Sequence, residues 1–228
     1  MGSGTFNKPQ TDTVQFLHVS GFAITTFMDN THLFFLFLHK FIDLTDDEFD
    51  TIIAPYLEER HFRNKQFITR TGDVENYFNY VAKGLVRKYY LKGQHEVVTQ
   101  LSPEGHLVQA QESFHSRLPS EYNLQAIEST TLISISYKNL EKIFATNAKM
   151  ERLGRLVVTF TMVMKERWFT SLIRLTPRER FMDFVSKNPV LLQRVPQKCL
   201  ASYLNIQPET FSRFKHMLQA KQSTKNLS

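Results

Sequence analysis

Apolar and polar residues alternate in short runs through the middle of the chain. Residues 66–71, 77–82, 85–91, 96–101 and 131–136 each carry a period of two. Turn-forming pairs separate them: Gly72-Asp73, Lys83-Gly84, Lys92-Gly93 and Pro103-Glu104-Gly105. Short strands at such spacing predict an antiparallel sandwich or barrel. Before them, Leu44-Thr45-Asp46-Asp47-Glu48 reads as a helix start, with Thr45 and Glu48 as a capping box and Leu44 set to staple onto Phe49. That helix is expected to end near Pro55-Tyr56. Helical periodicity returns at Asn139. Between Lys149 and Arg174 there is no proline, and Met150, Leu153, Val157, Phe160, Met164 and Trp168 recur at three- or four-residue intervals. This predicts one long helix with an apolar stripe. The stripe either packs on its own domain or forms a coiled-coil-like seam between two copies. Thr176-Pro177-Arg178-Glu179 begins another helix, which stops before Asn188-Pro189.

The most informative segment is 196–218. Leu200, Leu204, Ile206, Phe211 and Phe214 are apolar at the spacing of two short packed helices, with the small Ala201 where the helices come close. Asn205 falls at the turn between them, where positive φ is tolerated best by Gly and then Asn. Pro208 suits the first position of the second helix. This is the pattern of a helix-turn-helix, whose second helix enters the major groove of DNA. The competing interpretation is a helical hairpin that merely closes a domain. Two observations favour the first. The outward face of the second helix carries Glu209, Thr210, Ser212, Arg213 and His216, all able to reach base edges or phosphates. In addition, residues 165–228 hold 12 Lys and Arg against 4 Asp and Glu, a balance of +8, whereas residues 1–164 hold 16 against 18. A basic end on a near-neutral body is the electrostatic footprint of a polyanion-binding protein. A seam along the long helix, through Met150, Leu153, Val157, Phe160, Met164 and Trp168, would then supply the two-fold partner that reads a second half-site.

Composition narrows the remaining classes. The chain has 228 residues, enough for a sizeable core, and 20 Phe. Its single cysteine, Cys199, cannot form an internal disulfide or hold an iron–sulfur cluster. It sits beside Leu200 as a small core residue. The longest apolar run, 33–38, is too short to span a bilayer and lacks the flanks of a secretion signal. A cytoplasmic protein is therefore expected. Residues 1–13 are polar and Gly/Ser/Pro-bearing, without sustained period, and 1–27 is an expected extension, with translation starting at Met28. No phosphate-cradling glycine loop, His-Glu-x-x-His pair or nucleophile elbow is present, so catalysis is not expected. His95, His106 and His115, with Glu112 nearby, show no ligand spacing, and no metal or cofactor is assigned.

The order of a β-rich body, a long helix and a helix-turn-helix resembles the Crp/Fnr family of bacterial transcription regulators over residues 43–218. Gln207-Pro208-Glu209-Thr210-Phe211-Ser212-Arg213 is similar to that family's recognition-helix start, in which Glu, Ser and Arg read the operator. Lys65, Gly72-Asp73 and Gly84-Leu85-Val86-Arg87 resemble the turns and strands of its cyclic-nucleotide-binding-like roll. The resemblance implies an α+β fold: an antiparallel β-roll of the jelly-roll type over 28–148, a dimerisation helix over 149–174 and a helix-turn-helix domain over 175–228. It implies a homodimer on an inverted repeat of double-stranded DNA, with half-sites like TTGA about one helical turn apart. Arg213 is expected to contact guanine O6 and N7, Glu209 a cytosine or adenine amino group, and Thr210 and Ser212 bases or phosphates. Gln197, Lys198, Lys215 and His216 are expected on the DNA backbone. RNA polymerase and an unidentified small-molecule effector are the further partners it allows.

The chain also departs from the family. The Gly-Glu-Leu-like turn that binds cyclic nucleotides is missing from 106–127, and the positions of the phosphate-binding Arg and its neighbour fall on Ser120 and Glu121. A carboxylate there repels phosphate. Cyclic AMP is therefore not the expected effector. Glu112, Arg117, Ser120 and Glu121 are the candidate residues of any effector pocket. After Leu218 no β-pattern remains for the wing that family members often add. The alternative function is a ligand-binding or protein-interaction module that does not bind DNA.

Overall fold

The protein is described by a computed structural model covering residues 29–225, with side chains to residue 218. The expected extension over 1–27 and the start at Met28 lie outside the described residues. The apolar run near the start forms α1 (Asn30–His39), whose Phe34, Phe35, Phe37 and Leu38 are buried. Asp29 caps it, its side chain accepting from the Thr31 amide. The expected capping box is present at α2 (Asp46–Glu48), where Thr45 and Glu48 bond each other's backbone. The chain then winds through a π-helical turn (Phe49–Ile53) and a 3-10 turn (Ala54–Tyr56) that carries Pro55.

Eight antiparallel strands follow: β1 (Leu57–Phe62), β2 (Phe67–Thr69), β3 (Tyr77–Lys83), β4 (Val86–Lys92), β5 (His95–Ser102), β6 (Leu107–Val108), β7 (Asn123–Ala126) and β8 (Thr130–Ser136). They make two four-stranded sheets, ordered β1-β8-β3-β6 and β2-β7-β4-β5. Strands β1, β6 and β7 were not legible as separate runs. β1 (Leu-Glu-Glu-Arg-His-Phe) is a largely polar edge strand, and β6 has only two residues. β7 is buried along its whole length and so has no polar face to alternate with. A short helix, α3 (Gln111–Ser116), joins the sheets. Gly84, at φ +92° between β3 and β4, lies so close to Ser129 and Thr130 that a side chain would meet their backbone.

Three apolar clusters hold the molecule together. Phe62, Val81, Val86, Val108, Leu124 and Leu132 fill the space between the sheets. The outer face of β3 and β8, through Phe78, Tyr80, Ile133 and Ile135, takes α1, the π-helical turn, α4 (Tyr137–Thr146) and the first half of α5 (Ala148–Arg174). The outer face of β4 and β5, through Tyr89, Val98 and Leu101, shares a cluster with the C-terminal helices α6 (Pro177–Lys187), α7 (Leu191–Arg194), α8 (Gln197–Tyr203) and α9 (Pro208–Lys225).

The long helix thus exists, but its stripe is divided, which corrects the expected seam. Met150, Leu153 and Val157 are 0%, 4% and 4% exposed and belong to the subunit's own core, so they are unavailable to a second copy. The reason is local. Asn147 caps α5 at the Met150 amide and turns the helix back onto α4, where Phe144 lies on Gly154 so closely that a Cβ would strike its ring. Past this contact Val157 still packs in the core and Phe160 meets Phe41 edge-on, but Phe160 and Met164 are 43% and 37% exposed. Trp168 turns instead to the C-terminal helices.

Candidate nucleic-acid interface

The helix-turn-helix forms because its turn satisfies itself. Asn205 takes φ 51°, the left-handed conformation expected of it. The Ile206 amide donates to the Ala201 carbonyl at 2.9 Å and the Leu204 amide to the Leu200 carbonyl at 2.9 Å. Leu200, Ala201, Leu204 and Phe211 are buried, and Phe211 meets Phe181 of α6 edge-on, ring centroids 5.2 Å apart. Burying Phe211 and Leu200 fixes which way α9 faces. Glu209, Arg213 and His216 are exposed along one side, while Thr210, Ser212 and Lys215 are half-buried. The Arg213 guanidinium donates to the Thr210 hydroxyl at 3.2 Å, so the two side chains lie together. Gln197 and Lys198 are exposed at the start of α8, and Cys199 beside them is buried in the core.

Arg180 anchors this unit, although nothing in the residues around it marks it out. It is 6% exposed. Its guanidinium donates to the carbonyls of Leu204 at 2.9 Å, Asn205 at 3.0 Å, Leu175 at 2.6 Å and Leu172 at 3.2 Å. One cation therefore ties the end of α5 and the start of α6 to the turn between α8 and α9.

Three further links dock the unit on the roll. Ser202 of α8 accepts from the Val98 amide at 2.9 Å and donates to the Glu96 carbonyl, which covers the open edge of β5. Arg194 pairs with Glu104 at 2.7 and 2.9 Å and also with Glu128, bridging two roll turns. Burial alone would raise the Glu104 carboxyl, but Arg194 and the backbone amides at Glu104 and Gly84 together hold it below its ordinary range. Trp168 stacks on Tyr203, ring centroids 4.2 Å apart and 2° from parallel. Burial there pushes the Tyr203 phenol up.

The residues expected to line an effector pocket are not brought together. Glu112 and Glu121 are exposed. Ser120 is buried and exchanges hydrogen bonds with the Tyr122 backbone. Arg117 takes φ 61° and donates to the Glu75 and Phe114 carbonyls at 2.8 and 3.0 Å and to Asn76 Oδ1. Its guanidinium also lies 4.3 Å from the Tyr137 ring centre. It stitches α3 to the β2–β3 loop. Glu75 completes that seam. It is 1% exposed and accepts from Thr69 at 2.9 Å, the Tyr77 amide at 3.1 Å and the Ala110 amide at 3.3 Å. Burial raises its carboxyl against those hydrogen bonds.

Inside the roll the notable cation is Lys88, on the interior face of β4 with Val86. Burial, with nearby Lys165 as a smaller cause, lowers its amine to about 8. An unfolded lysine titrates near 10.4, so the folded state binds this proton more weakly. The folded chain is penalised below pH about 8, and the penalty lifts as pH rises toward the unfolded value. Urea unfolding should therefore show the wild type gaining about 2 kcal/mol on Lys88→Met between pH 7 and pH 10. Parallel pH profiles for the two proteins would refute this.

Among the described residues, no group of three His, Cys, Asp or Glu side chains could hold a metal ion, and no helix is long and apolar enough to cross a membrane. His95 and His115 are exposed, and His106 Nδ1 lies 3.0 Å from the Glu104 carbonyl.

Residues 59–147 match the cyclic nucleotide-binding domain family. No curated protein matches the chain at a significant level. Among solved structures, FixK2 from Bradyrhizobium japonicum superimposes with TM-score 0.62 at 19% identity, covering 73% of this chain and 86% of that one. The c-di-GMP responsive global regulator CLP from Xanthomonas campestris gives 0.60 at 19% identity, with 78% and 93% covered. A protein described as a transcriptional regulator of the crp/fnr family from Eubacterium rectale gives 0.59 at 14% identity, with 78% and 85% covered. The roll, the long helix and the C-terminal helices together have the fold of the Crp/Fnr regulators.

Proposed function

On the fold of the Crp/Fnr regulators, with a roll that matches the cyclic nucleotide-binding domain family, we propose that this chain is a homodimeric, sequence-specific DNA-binding transcription regulator that does not use cyclic AMP. The carrying observation is the free side of α9, where Glu209, Arg213 and His216 face solvent and Thr210 steadies Arg213. Arg213 contacts guanine through O6 and N7, and Glu209 accepts from a cytosine or adenine amino group. Thr210 and Ser212 reach bases or phosphates. Gln197, Lys198, Lys215 and His216 hold the backbone and set register. The half-site is TTGA-like, in an inverted repeat about one helical turn apart.

The second copy rests on the second half of α5. Met162, Met164, Phe169 and Ile173 are between 37% and 69% exposed, and Phe160, though edge-on to Phe41, is 43% exposed, which leaves a run of apolar surface open to a partner. Trp168 is left out of that seam because it stacks within the chain. Independence from cyclic AMP rests on Ser120 and Glu121 at the phosphate position and on Arg117, three of whose donors are committed to Glu75, Phe114 and Asn76. The cytoplasm, where DNA is reached, is the compartment, and RNA polymerase is the partner through which bound protein would change transcription.

Selection of bound duplexes from a random pool tests the reading. The expected result is an enriched inverted repeat with two half-sites one turn apart. On random duplex, log affinity should fall steeply and linearly with log salt, because Lys and Arg displace counterions from phosphates. No enriched sequence together with a flat salt profile would leave the roll as a ligand or protein-interaction module.

A further inference from the structure

A cavity of about 330 Å³ opens between β1 and the loop that joins β2 to β3. Arg60 of β1 supplies its cation. The guanidinium lies 4.0 Å from the Tyr77 ring centre and 5.1 Å from that of Phe62, so two aromatic rings hold it in place. Its Nη1 is buried and meets no acceptor among the described residues. Among them Arg60 also pairs with no carboxylate. Glu75 lines the same cavity, but its oxygens are taken by Thr69 and by the Tyr77 and Ala110 amides. Ile68 and Val74 add half-buried apolar surface, and Asp73 adds an exposed carboxylate.

The loop that carries these groups is tied down. The Gly72 amide donates to the Ser120 carbonyl at 2.8 Å, and the Ser120 amide to the Asp73 carbonyl at 2.8 Å. Asp73 Oδ2 accepts from the Arg70 amide at 3.1 Å. Groups held in place before a ligand arrives lose little freedom when it binds. A buried guanidinium N–H without an acceptor is costly, and a carboxylate removes that cost with the planar two-point contact that arginine makes best. A phosphate dianion suits the cavity poorly, because Asp73 and Glu75 set two carboxylates against one cation. A ligand with one negative and one positive end meets both signs, and the Ile68 and Val74 side chains favour a hydrocarbon group beside them.

We propose that this cavity binds a zwitterion, an α-amino acid with an apolar side chain. Its carboxylate sits on Arg60, its ammonium faces Asp73, and its side chain lies against Ile68 and Val74. The volume is at the lower end of small-molecule clefts, which run from about 300 to 1,000 Å³. None of Glu112, Arg117, Ser120 and Glu121, the residues expected at an effector pocket, lines it. The site stands apart from the DNA-binding reading and does not rest on it.

The full chain is titrated by calorimetry, without DNA, with L-valine, L-leucine and L-phenylalanine. Each is run beside its amide, which lacks the carboxylate, and its deaminated acid, which lacks the ammonium. Inorganic phosphate at matched ionic strength is the further control. The expected result is saturable binding of at least one of the three amino acids, with its amide and its deaminated acid each weaker by about tenfold or more, the usual loss of a charge-assisted hydrogen bond. Arg60→Met should weaken the amino acid and the deaminated acid alike, by about tenfold or more. Asp73→Asn should weaken the amino acid and leave the deaminated acid unchanged. Asp73 is exposed, so its variant keeps the test readable even if Arg60→Met is unstable. No saturable binding of any of the three amino acids overturns the proposal. So does a deaminated acid or phosphate that binds as tightly as the amino acid, or wild-type affinity in either variant.

Discussion

Replacing Arg180 with alanine should destabilise the protein by about 3–4 kcal/mol, since a buried cation and its bonds to several carbonyls are lost at once. Four carbonyls from two segments converge on this guanidinium: Leu172 and Leu175 at the end of α5, and Leu204 and Asn205 in the turn before α9. The two segments lie about 30 residues apart in sequence. Without Arg180, the carbonyls stay partly buried with no donor, and the turn that aims α9 loses its tie to α5. The effect should extend beyond the C-terminal helices, because their apolar cluster includes Leu85, Tyr89, Val98 and Leu101 of the roll. Urea unfolding measures the cost. Trp168 fluorescence should also shift, since Tyr203, its stacking partner, sits two residues before Asn205. Arg180→Lys should not restore the wild type, because one ammonium cannot reach carbonyls spread around a planar fork. A loss below about 1 kcal/mol would mean water replaces the guanidinium and the anchor is not structural.

Replacing Arg213 with alanine should lower operator affinity by about 1–3 kcal/mol per half-site, or roughly ten- to a hundredfold, and relax one base position. The side chain is exposed and bonds only its neighbour Thr210, so truncation should leave the fold intact. Base selectivity and stability are then separable, as they are not at Arg180. The contrast is Lys215→Ala, which should weaken binding to all sequences alike and reduce the slope against log salt by about one. Both are read by fluorescence anisotropy on the selected duplex and on a scrambled one. Full operator affinity in Arg213→Ala would remove α9 as the base-reading element.

Much of the fold was legible because its signals are local. Thr45 with Glu48 and Thr176 with Glu179 each form the capping box their spacing implies. Asn205 adopts the positive φ that its place between two short helices requires. Strands β3, β4, β5 and β8 appear where the period of two was clear. The signals that failed were those with no local mark. Met150 and Phe160 look alike on the stripe of α5, yet one is fully buried in the subunit and the other exposed. Arg117 was a candidate for an effector pocket, but it donates to the backbone carbonyls of Glu75 and Phe114. Glu75, Lys88, Arg180, Arg194 and Ser202 were overlooked because a charged or hydroxyl residue in sequence is most often solvated. Their burial is set by partners 20 to more than 100 residues away.

By itself, the order of residues determined strands β2, β3, β4, β5 and β8, the long helix, the turn that pairs α8 with α9, the face α9 offers outward and the basic balance of the last 64 residues. All of these follow from backbone preferences and periodicities that act over a few positions. Only the folded arrangement decided how α5 divides between core and open surface, which arginines became anchors, and that Lys88 is buried inside the roll. Those outcomes depend on which distant groups are left without partners once the sheets close, and no short-range rule carries that information.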